Sequence, residues 1–146
     1  MAVSQQLCTF VLQGEFFGIP VQQVQEVVRY QQMTRVPLAN EIVSGLINLR
    51  GQIVTAIDLR RCLGMEERAA GQLPMNVVVR TGDGPVSLLV DDIGEVIEIS
   101  ENDYEATPQN MPVQQKEMVE GVYKLDGRLL LVLNTERALH AALGAP

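Results

Sequence analysis

The chain has 146 residues, enough for one domain with a hydrophobic core or for two small barrels that share an interface. Its hydrophobic fraction of 47% excludes a disordered chain, and the aromatic content of only 4% predicts a core of valine, leucine and isoleucine. The net charge of −7, with no cluster of lysine or arginine, argues against binding to nucleic acid or to an anionic membrane.

Apolar runs separated by turn-forming residues predict ten strands. In chain order they cover residues 7–13, 16–20, 24–30, 45–50, 52–57, 75–80, 85–90, 94–99, 121–125 and 128–133. Short helices are predicted over 58–63 and 135–143, with Asp58 and Asn134 as their N-caps. We also expect single turns of helix at 20–24 and 90–93, a flexible linker at 66–74 and a long mobile loop at 100–120.

Two parts of the chain repeat earlier parts in outline. Residues 45–59 recur as 121–135 with the same apolar pattern and with glycine at the same spacing, as Gly45 and Gly51 and again as Gly121 and Gly127. Residues 21–28 recur more weakly as 90–97. The two echoes come in the same order, so the sequence predicts one β unit that is used twice.

This duplication predicts one domain over 1–146 with two subdomains. We expect a first β-barrel over 14–66 and a second over 74–134. The N-terminal strand 7–13 and the C-terminal helix 135–143 are expected to pack across both.

The two hairpin turns of the repeat differ in quality. Asp126-Gly127 is a strong hairpin signal, since both residues tolerate the positive φ angles of a tight turn. Arg50-Gly51 is weaker, because a large cation is a poor choice at such a position. We therefore expect Arg50 to have a role other than turn formation.

A search for catalytic or metal-binding residues finds no convergent set. The only histidine, His140, lies on the predicted C-terminal helix, and Cys8 and Cys62 lack the spacing of a metal or redox site. The adjacent acids Asp91 and Asp92 are accounted for by a helix cap. The sequence therefore predicts a protein that is not an enzyme and has no cofactor. Residues 1–6 lack the features of a signal peptide, which favours a cytosolic location with reduced thiols.

Four apolar residues fall at matching places in the two repeats, next to Glu26 and Glu95. They are Val24, Val27, Ile93 and Val96. In a pseudo-symmetric pair of barrels such positions can face each other across a seam and form a groove that accepts a helix. They can equally fill the two cores, and the sequence leaves both interpretations open.

One pattern of residues extends over nearly the whole chain. It runs from Phe10, Leu12, Gly14, Phe17 and Ile19 through Val24, Glu26, Val27 and 45–51 to Ile57-Asp58-Leu59, Leu63-Gly64, Val90-Asp91 and Glu95-Val96. In this pattern the chain resembles the CheW-like chemotaxis coupling proteins, and Asn48-Leu49-Arg50-Gly51 is its most specific segment. Members of that family commonly have a proline near 40–41 and another at the position of Thr55, where this chain has none.

The resemblance implies an all-β fold of two pseudo-symmetric, five-stranded SH3-like β-barrels packed side by side. It implies a cytoplasmic, non-enzymatic adaptor and scaffold of a two-component system, recruited to membrane-associated receptor arrays. The implied partners are the cytoplasmic tip of a chemoreceptor (a methyl-accepting chemotaxis protein) and the regulatory domain of the histidine kinase CheA. Self-association in the rings of such an array is compatible with this role.

The resemblance also implies where these residues act. Receptor contact is implied at the seam between the barrels, formed by Val24, Glu26, Val27, Arg50, Ile93 and Val96. The turn and structural motif consists of Gly45, Asn48, Leu49, Gly51, Gly121 and Gly127. For Arg50 an ion pair within the chain, with Glu26 or Asp58, is the alternative role, and the two roles are compatible.

Three other functions remain compatible with the sequence. A barrel that binds a small ligand or a metal would use the acids Asp91, Asp92 and Glu95. A CheW-like module of a parallel pathway, such as twitching motility, would share all the features above. A module that regulates the kinase without touching receptors would differ only in its failure to bind a receptor.

Overall fold

The structure, a computed structural model, describes residues 4–144. Residues 1–3 and 145–146 of the predicted domain lie outside the described residues, and with them half of the segment considered for a signal peptide. The fold is all-β, as predicted, with strands arranged in two sheets and a few short helices.

The strands and helices follow one another along the chain with short connections. The strands are β1 (Ser4–Leu12), β2 (Glu15–Pro20), β3 (Val24–Val28), β4 (Val43–Leu49), β5 (Gln52–Asp58), β6 (Met75–Thr81), β7 (Gly84–Val90), β8 (Asp92–Ser100), β9 (Tyr104–Glu105), β10 (Val119–Leu125) and β11 (Arg128–Leu133). The helices are α1 (Leu59–Cys62), α2 (Val113–Met118) and α3 (Thr135–Leu143), with 3-10 turns at Val21–Gln23 and Glu101–Asp103.

The strands form two sheets of matching order. Sheet I has the order β3-β6-β7-β5-β4, and sheet II has the order β8-β1-β2-β11-β10-β9. In each sheet one pair is parallel, β5 with β7 in sheet I and β11 with β2 in sheet II, and the other pairs are antiparallel. Five strands of sheet II correspond one to one with those of sheet I, and the two-residue strand β9 is an addition to the predicted five.

The predicted subdomains, 14–66 and 74–134, do not match how the strands pair. The hairpin β6–β7 follows the linker, yet it joins β3, β4 and β5 in sheet I. The hairpin β1–β2 precedes all of these, yet it joins β8 and β11 in sheet II. The two repeats have therefore exchanged their first hairpins. The prediction was wrong because strand periodicity shows where a strand lies but not which strand it pairs with. Closure of each sheet into a barrel stays a prediction.

Most other predicted elements are confirmed, with their ends shifted by a few residues. All ten strands, α1, α3 and the turn at 21–23 are present. The helical turn expected at 90–93 is wrong, because Val90 ends β7 and β8 begins at Asp92. The segment 100–120 is more ordered than expected, since it contains β9 and α2.

The repeat seen in the sequence has a close structural counterpart. The pairing of β4 with β5 shifts register between Val43 and Gly45, and the pairing of β10 with β11 shifts between Val119 and Gly121. A β-bulge therefore falls at the same place in each copy, with glycine beside it. At Gly45 a side chain could not fit, because a Cβ atom would lie 2.7 Å from the carbonyl oxygen of Thr34.

The core has one shared cluster and one smaller cluster in each sheet. The shared cluster takes side chains from both sheets and from the three helices, among them Phe10, Phe17, Ile57, Leu88 and Leu131. Sheet I has its own cluster around Ile47 and Val78, and sheet II has one around Leu7 and Leu130. The two sheets are thus joined through a continuous apolar interior.

Among the helices of residues 4–144, none has the length and apolar character that a membrane crossing requires.

Candidate functional site

The turn between β4 and β5 holds a large cation in a conformation that such residues rarely adopt. Leu49 pairs with Gln52, so Arg50 and Gly51 form a two-residue turn. Both have positive φ angles, 51° for Arg50 and 89° for Gly51, as in the hairpin turns that favour asparagine and glycine. The backbone N–H of Gly51 donates to Oδ1 of Asn48 at 2.8 Å, which stabilises the turn.

Arg50 forms an ion pair with Glu26, one of the two acidic partners anticipated from the sequence. The guanidinium Nη2 of Arg50 donates to Oε2 of Glu26. Glu26 lies on β3, at one edge of sheet I, and Arg50 caps the hairpin at the other edge. The ion pair therefore connects the two edges of sheet I, while 70% of the Arg50 side chain stays exposed.

This ion pair changes the titration of both partners. The hydrogen bond from Arg50 is the main reason why the pKa of Glu26 is lowered, and the same bond raises the pKa of Arg50. The pair is thus charged at neutral pH and lies at the surface, where such pairs contribute little to stability. We therefore expect the pair to contribute little to the stability of the fold.

The four apolar residues of the predicted groove divide into two classes. Val24 and Ile93 are partly buried and pack against the shared core cluster. Val27 is 38% exposed and Val96 is 57% exposed, so neither fills a core. Val24 and Ile93 therefore belong to the core, and one valine of each repeat remains at the surface.

Matching irregularities in β3 and β8 place the two apolar residues of each strand on the same face. Val24 and Val27 pair with alternate residues of β6, and Ile93 and Val96 pair with alternate residues of β1. Between Val24 and Glu26 the pairing of β3 with β6 shifts register, and between Ile93 and Val96 the pairing of β8 with β1 does so too. Each strand is the edge strand of its sheet, and a bulge there re-aims side chains and discourages edge-to-edge pairing. In β8 the bulge is fixed by Thr9, whose hydroxyl donates to the carbonyl of Glu95 at 2.5 Å.

The residues of the predicted turn and structural motif act in two ways, some through their backbone conformation and others through side-chain packing or hydrogen bonding. Gly51 and Gly127 have positive φ angles at the two hairpin turns, and Leu49 is buried in the cluster of sheet I. Gly45 and Gly121 lie beside the two bulges. Asn48, the remaining member, is exposed and acts through the hydrogen bond to Gly51.

Sequence reasoning missed a buried ionic cluster formed by Asp58, Arg60, Arg68 and Asp91. Arg60 donates to both carboxylate oxygens of Asp91, from Nε at 2.8 Å and from Nη2 at 2.5 Å. Arg68 joins Asp91 to Asp58, with distances of 2.9 Å and 3.0 Å. All four side chains are at most 12% exposed. Because Arg68 lies in the segment 66–74, this part of the predicted flexible linker is anchored.

The cluster also determines what Asp91 can do. Burial raises the pKa of Asp91, but hydrogen bonds from Arg60 and from the backbone N–H of Gln13, with the charge of Arg68, outweigh it and lower the pKa overall. The charge of the Asp91 carboxylate is balanced by the two arginines, and its oxygens already accept hydrogen bonds. It therefore has little capacity left to bind a ligand. The acidic ligand site considered around Asp91, Asp92 and Glu95 thus has its central residue already engaged.

Within residues 4–144 no three histidine, cysteine or acidic side chains are grouped so that they could hold a metal ion. Cys8 and Cys62 are both buried and unpaired with each other. Burial raises the pKa of both thiols, that of Cys62 to about 11, which disfavours the reactive thiolate.

Comparison with known proteins gives consistent results over nearly the entire chain. The family model described as "CheW-like domain" matches residues 6–143. The chain is 28% identical over 135 residues to the chemotaxis protein CheW of Bacillus subtilis, covering 92% of this chain and 86% of the relative. It is 29% identical over 136 residues to that of Thermotoga maritima, covering 92% of this chain and 87% of the relative. The crystal structure of the scaffolding protein TtCheW from Thermoanaerobacter tengcongensis aligns with a TM-score of 0.78 and 30% identity, covering 90% of each chain.

Proposed function

The chain belongs to the CheW-like domain family, and from this premise we propose that it is a non-enzymatic adaptor of chemotaxis signalling. In this role it couples the cytoplasmic tips of chemoreceptors to the histidine kinase CheA. Its place is the cytoplasm, where it is recruited to receptor arrays at the membrane. The Bacillus and Thermotoga relatives are chemotaxis proteins, and a solved relative is described as a scaffolding protein, which supports a role in assembly.

The observation that carries the proposal is the exposed Arg50. The side chain is tethered to Glu26, so a partner meets a cation whose position is already fixed and loses less entropy in ordering it. Val27 follows Glu26 on the same strand and is exposed on the opposite face of β3. An exposed, ordered cation suits a helical partner that presents an acidic side chain, and the exposed valine offers such a partner a separate apolar contact.

The second repeat contributes to the same proposed surface. Val96 is the counterpart of Val27, and it too is exposed and follows a bulge in its strand. A receptor tip is a helical hairpin, so two apolar positions related by the pseudo-symmetry match its two helices. We propose that Val24 and Ile93 support this surface from the core side, while Val27, Val96 and Arg50 make the contact.

The test is a co-sedimentation assay with receptor arrays and kinase, using the variant Arg50→Glu. We expect receptor binding to weaken strongly, because the substitution reverses the charge and creates repulsion from Glu26 and from an acidic partner. The unfolding free energy should change by no more than about 0.5 to 1 kcal/mol, as for other exposed residues. Lys124→Glu is the matched control, since Lys124 is exposed near the tip of the second hairpin.

The same assay separates this role from its rivals. Wild-type protein that sediments with the kinase but not with receptors would be a kinase-regulating module only. Equal binding by wild type and Arg50→Glu would remove Arg50 from the receptor surface. Receptors of a swimming or a twitching pathway, used in parallel, distinguish these two settings for the same adaptor.

A further inference from the structure

The hairpin turn at Arg50-Gly51 is held by a side chain that the proposed contact does not itself include. Asn48 is the last residue but one of β4, and its side chain is exposed. Its Oδ1 accepts the backbone N–H of Gly51 at 2.8 Å, directly across the turn. Among residues 4–144 this is the only hydrogen bond of the Asn48 side chain.

The turn needs such support because its first residue is unfavourable. A positive φ angle costs an L-residue with a side chain about 1–2 kcal/mol. Among residues 4–144 only three non-glycine residues have it, Gln13, Leu38 and Arg50. Asparagine or aspartate would be the usual choice in place of Arg50, since their short side chains tolerate this conformation.

The hairpin of β10 and β11 has a turn without a non-glycine residue at positive φ. Its turn is Asp126-Gly127, in which only Gly127 has a positive φ angle. The residue that matches Asn48 is Lys124, which has no acceptor for the N–H of Gly127. The chain thus combines asparagine with arginine at one turn and has neither at the other.

The geometry points to Asn48 as a positioning residue for Arg50. Its hydrogen bond to Gly51 selects the turn in which Arg50 keeps a positive φ angle and its guanidinium reaches Glu26. Without that bond the turn relaxes toward conformations that favour negative φ at Arg50, and the guanidinium leaves Glu26. As far as receptor binding is concerned, this inference rests on the proposed function.

The first experiment measures the position of Arg50 without any partner. Nuclear magnetic resonance of the guanidinium group of Arg50, with hydrogen exchange of the Gly51 amide, compares wild type with Asn48→Ala, Asn48→Asp and Lys124→Ala. We expect the ordered Arg50 signal and the protection of Gly51 to be lost in Asn48→Ala. Both should persist in Asn48→Asp, which keeps an acceptor, and in the matched control Lys124→Ala. An unchanged Arg50 signal in Asn48→Ala overturns the inference.

The second experiment measures coupling in receptor binding. We expect Asn48→Ala to weaken binding about five- to tenfold, as for loss of an interface arginine contact. The same substitution in an Arg50→Ala background should have no further effect, because Asn48 acts only through Arg50. An equal loss in both backgrounds would show a general structural role and overturn the inference.

The two experiments distinguish failure of the inference from failure of the proposed function. Wild-type protein that does not bind receptors, together with loss of the Arg50 signal in Asn48→Ala, rejects the receptor role and retains the positioning role. Receptor binding that depends on Arg50 but not on Asn48 retains the receptor role and rejects the positioning role.

Discussion

The hairpin–helix units β4–β5–α1 and β10–β11–α3 share their bulges, their N-caps and their parallel neighbours, yet they differ at both ends of the hairpin. At the tip, the first unit has Arg50 tethered to Glu26, whereas the second has Asp126-Gly127. At the start of the helix, the first unit has a buried ionic cluster, whereas the second has the neutral cap Asn134. The first unit thus has a tethered cation and an ionic cluster at the places where the second has common turn and cap residues.

The two units differ in how closely they follow the local rules of secondary structure. The second unit satisfies the local rules for a hairpin and a helix cap. The first departs from them at Arg50, where the result is an exposed and ordered cation. It departs again at Asp58 and Arg60, which form with Arg68 and Asp91 the ionic cluster that anchors the linker segment. Four predictions, in order of decreasing effect on stability, test this contrast between the two units.

Asp91→Ala should cost about 3–5 kcal/mol of unfolding free energy, because it leaves Arg60 and Arg68 buried without their shared partner. Urea unfolding gives the value. For comparison, Asn134→Ala, at the position that matches Asp58 of the cluster, removes only an N-cap and should cost about 1 kcal/mol. Similar losses of unfolding free energy for the two variants would mean that the ionic cluster stabilises the fold no more than an ordinary helix cap does.

Gly45→Ala should cost about 1–3 kcal/mol, because the new Cβ would meet the backbone oxygen of Thr34 at 2.7 Å and that strand would have to move. Gly121→Ala should cost less, since its nearest neighbour is the ring of Tyr123 at 3.3 Å, and a side chain can shift. Thermal unfolding of the two variants side by side tests this order. A larger loss at Gly121 would contradict it.

The stability conferred by Asp91 should depend on pH in a defined direction. Its pKa in the folded chain is below the ordinary value of 3.8, so the carboxylate stabilises the fold at pH values above 3.8. That contribution is lost as the pH falls through the lowered pKa. The difference in unfolding free energy between wild type and Asp91→Asn should therefore narrow from about pH 5 down to about pH 3. A constant difference over this range would exclude the carboxylate charge as its cause.

Arg50→Asn should have the smallest effect on stability, a change within about 1 kcal/mol and in the stabilising direction if strain outweighs the ion pair. Asparagine relieves the cost of the positive φ angle but cannot reach Glu26. Receptor binding should nevertheless fall. A turn that becomes more stable while the partner is lost would show that Arg50 is retained for recognition; unchanged binding would count against it.

Much of this fold could be predicted from the sequence because its strands follow local rules. Alternation of apolar residues located every long strand, and the caps Asp58 and Asn134 located α1 and α3. Helix α2 was missed although a signal was present, since Pro112 precedes a run of good helix formers. The family resemblance also placed Glu26 and Arg50 in one predicted site. Hydrophobic periodicity alone does not show that two charged residues on different strands lie close together.

The remaining features depend on contacts between distant parts of the chain. Arg60, Arg68 and Asp91 come from three different segments, and no local pattern shows that their side chains meet. The face on which Val27 and Val96 lie depends on bulges, which shift every later side chain on an edge strand. The bond from Gly51 to Asn48 was within reach of sequence reasoning, because asparagine often accepts from the backbone a few residues ahead.

The exchange of hairpins between the repeats has a consequence for how the chain can be divided. A fragment that ends before β6 would hold β3, β4 and β5 without the two strands that lie between them in sheet I. The remaining fragment would hold β6 and β7 but lack the hairpin that joins β8 to β11. Neither half is therefore a folding unit, and mixing the two halves should restore the whole by complementation. Because the two sheets also share a core cluster, we expect them to unfold in a single cooperative transition.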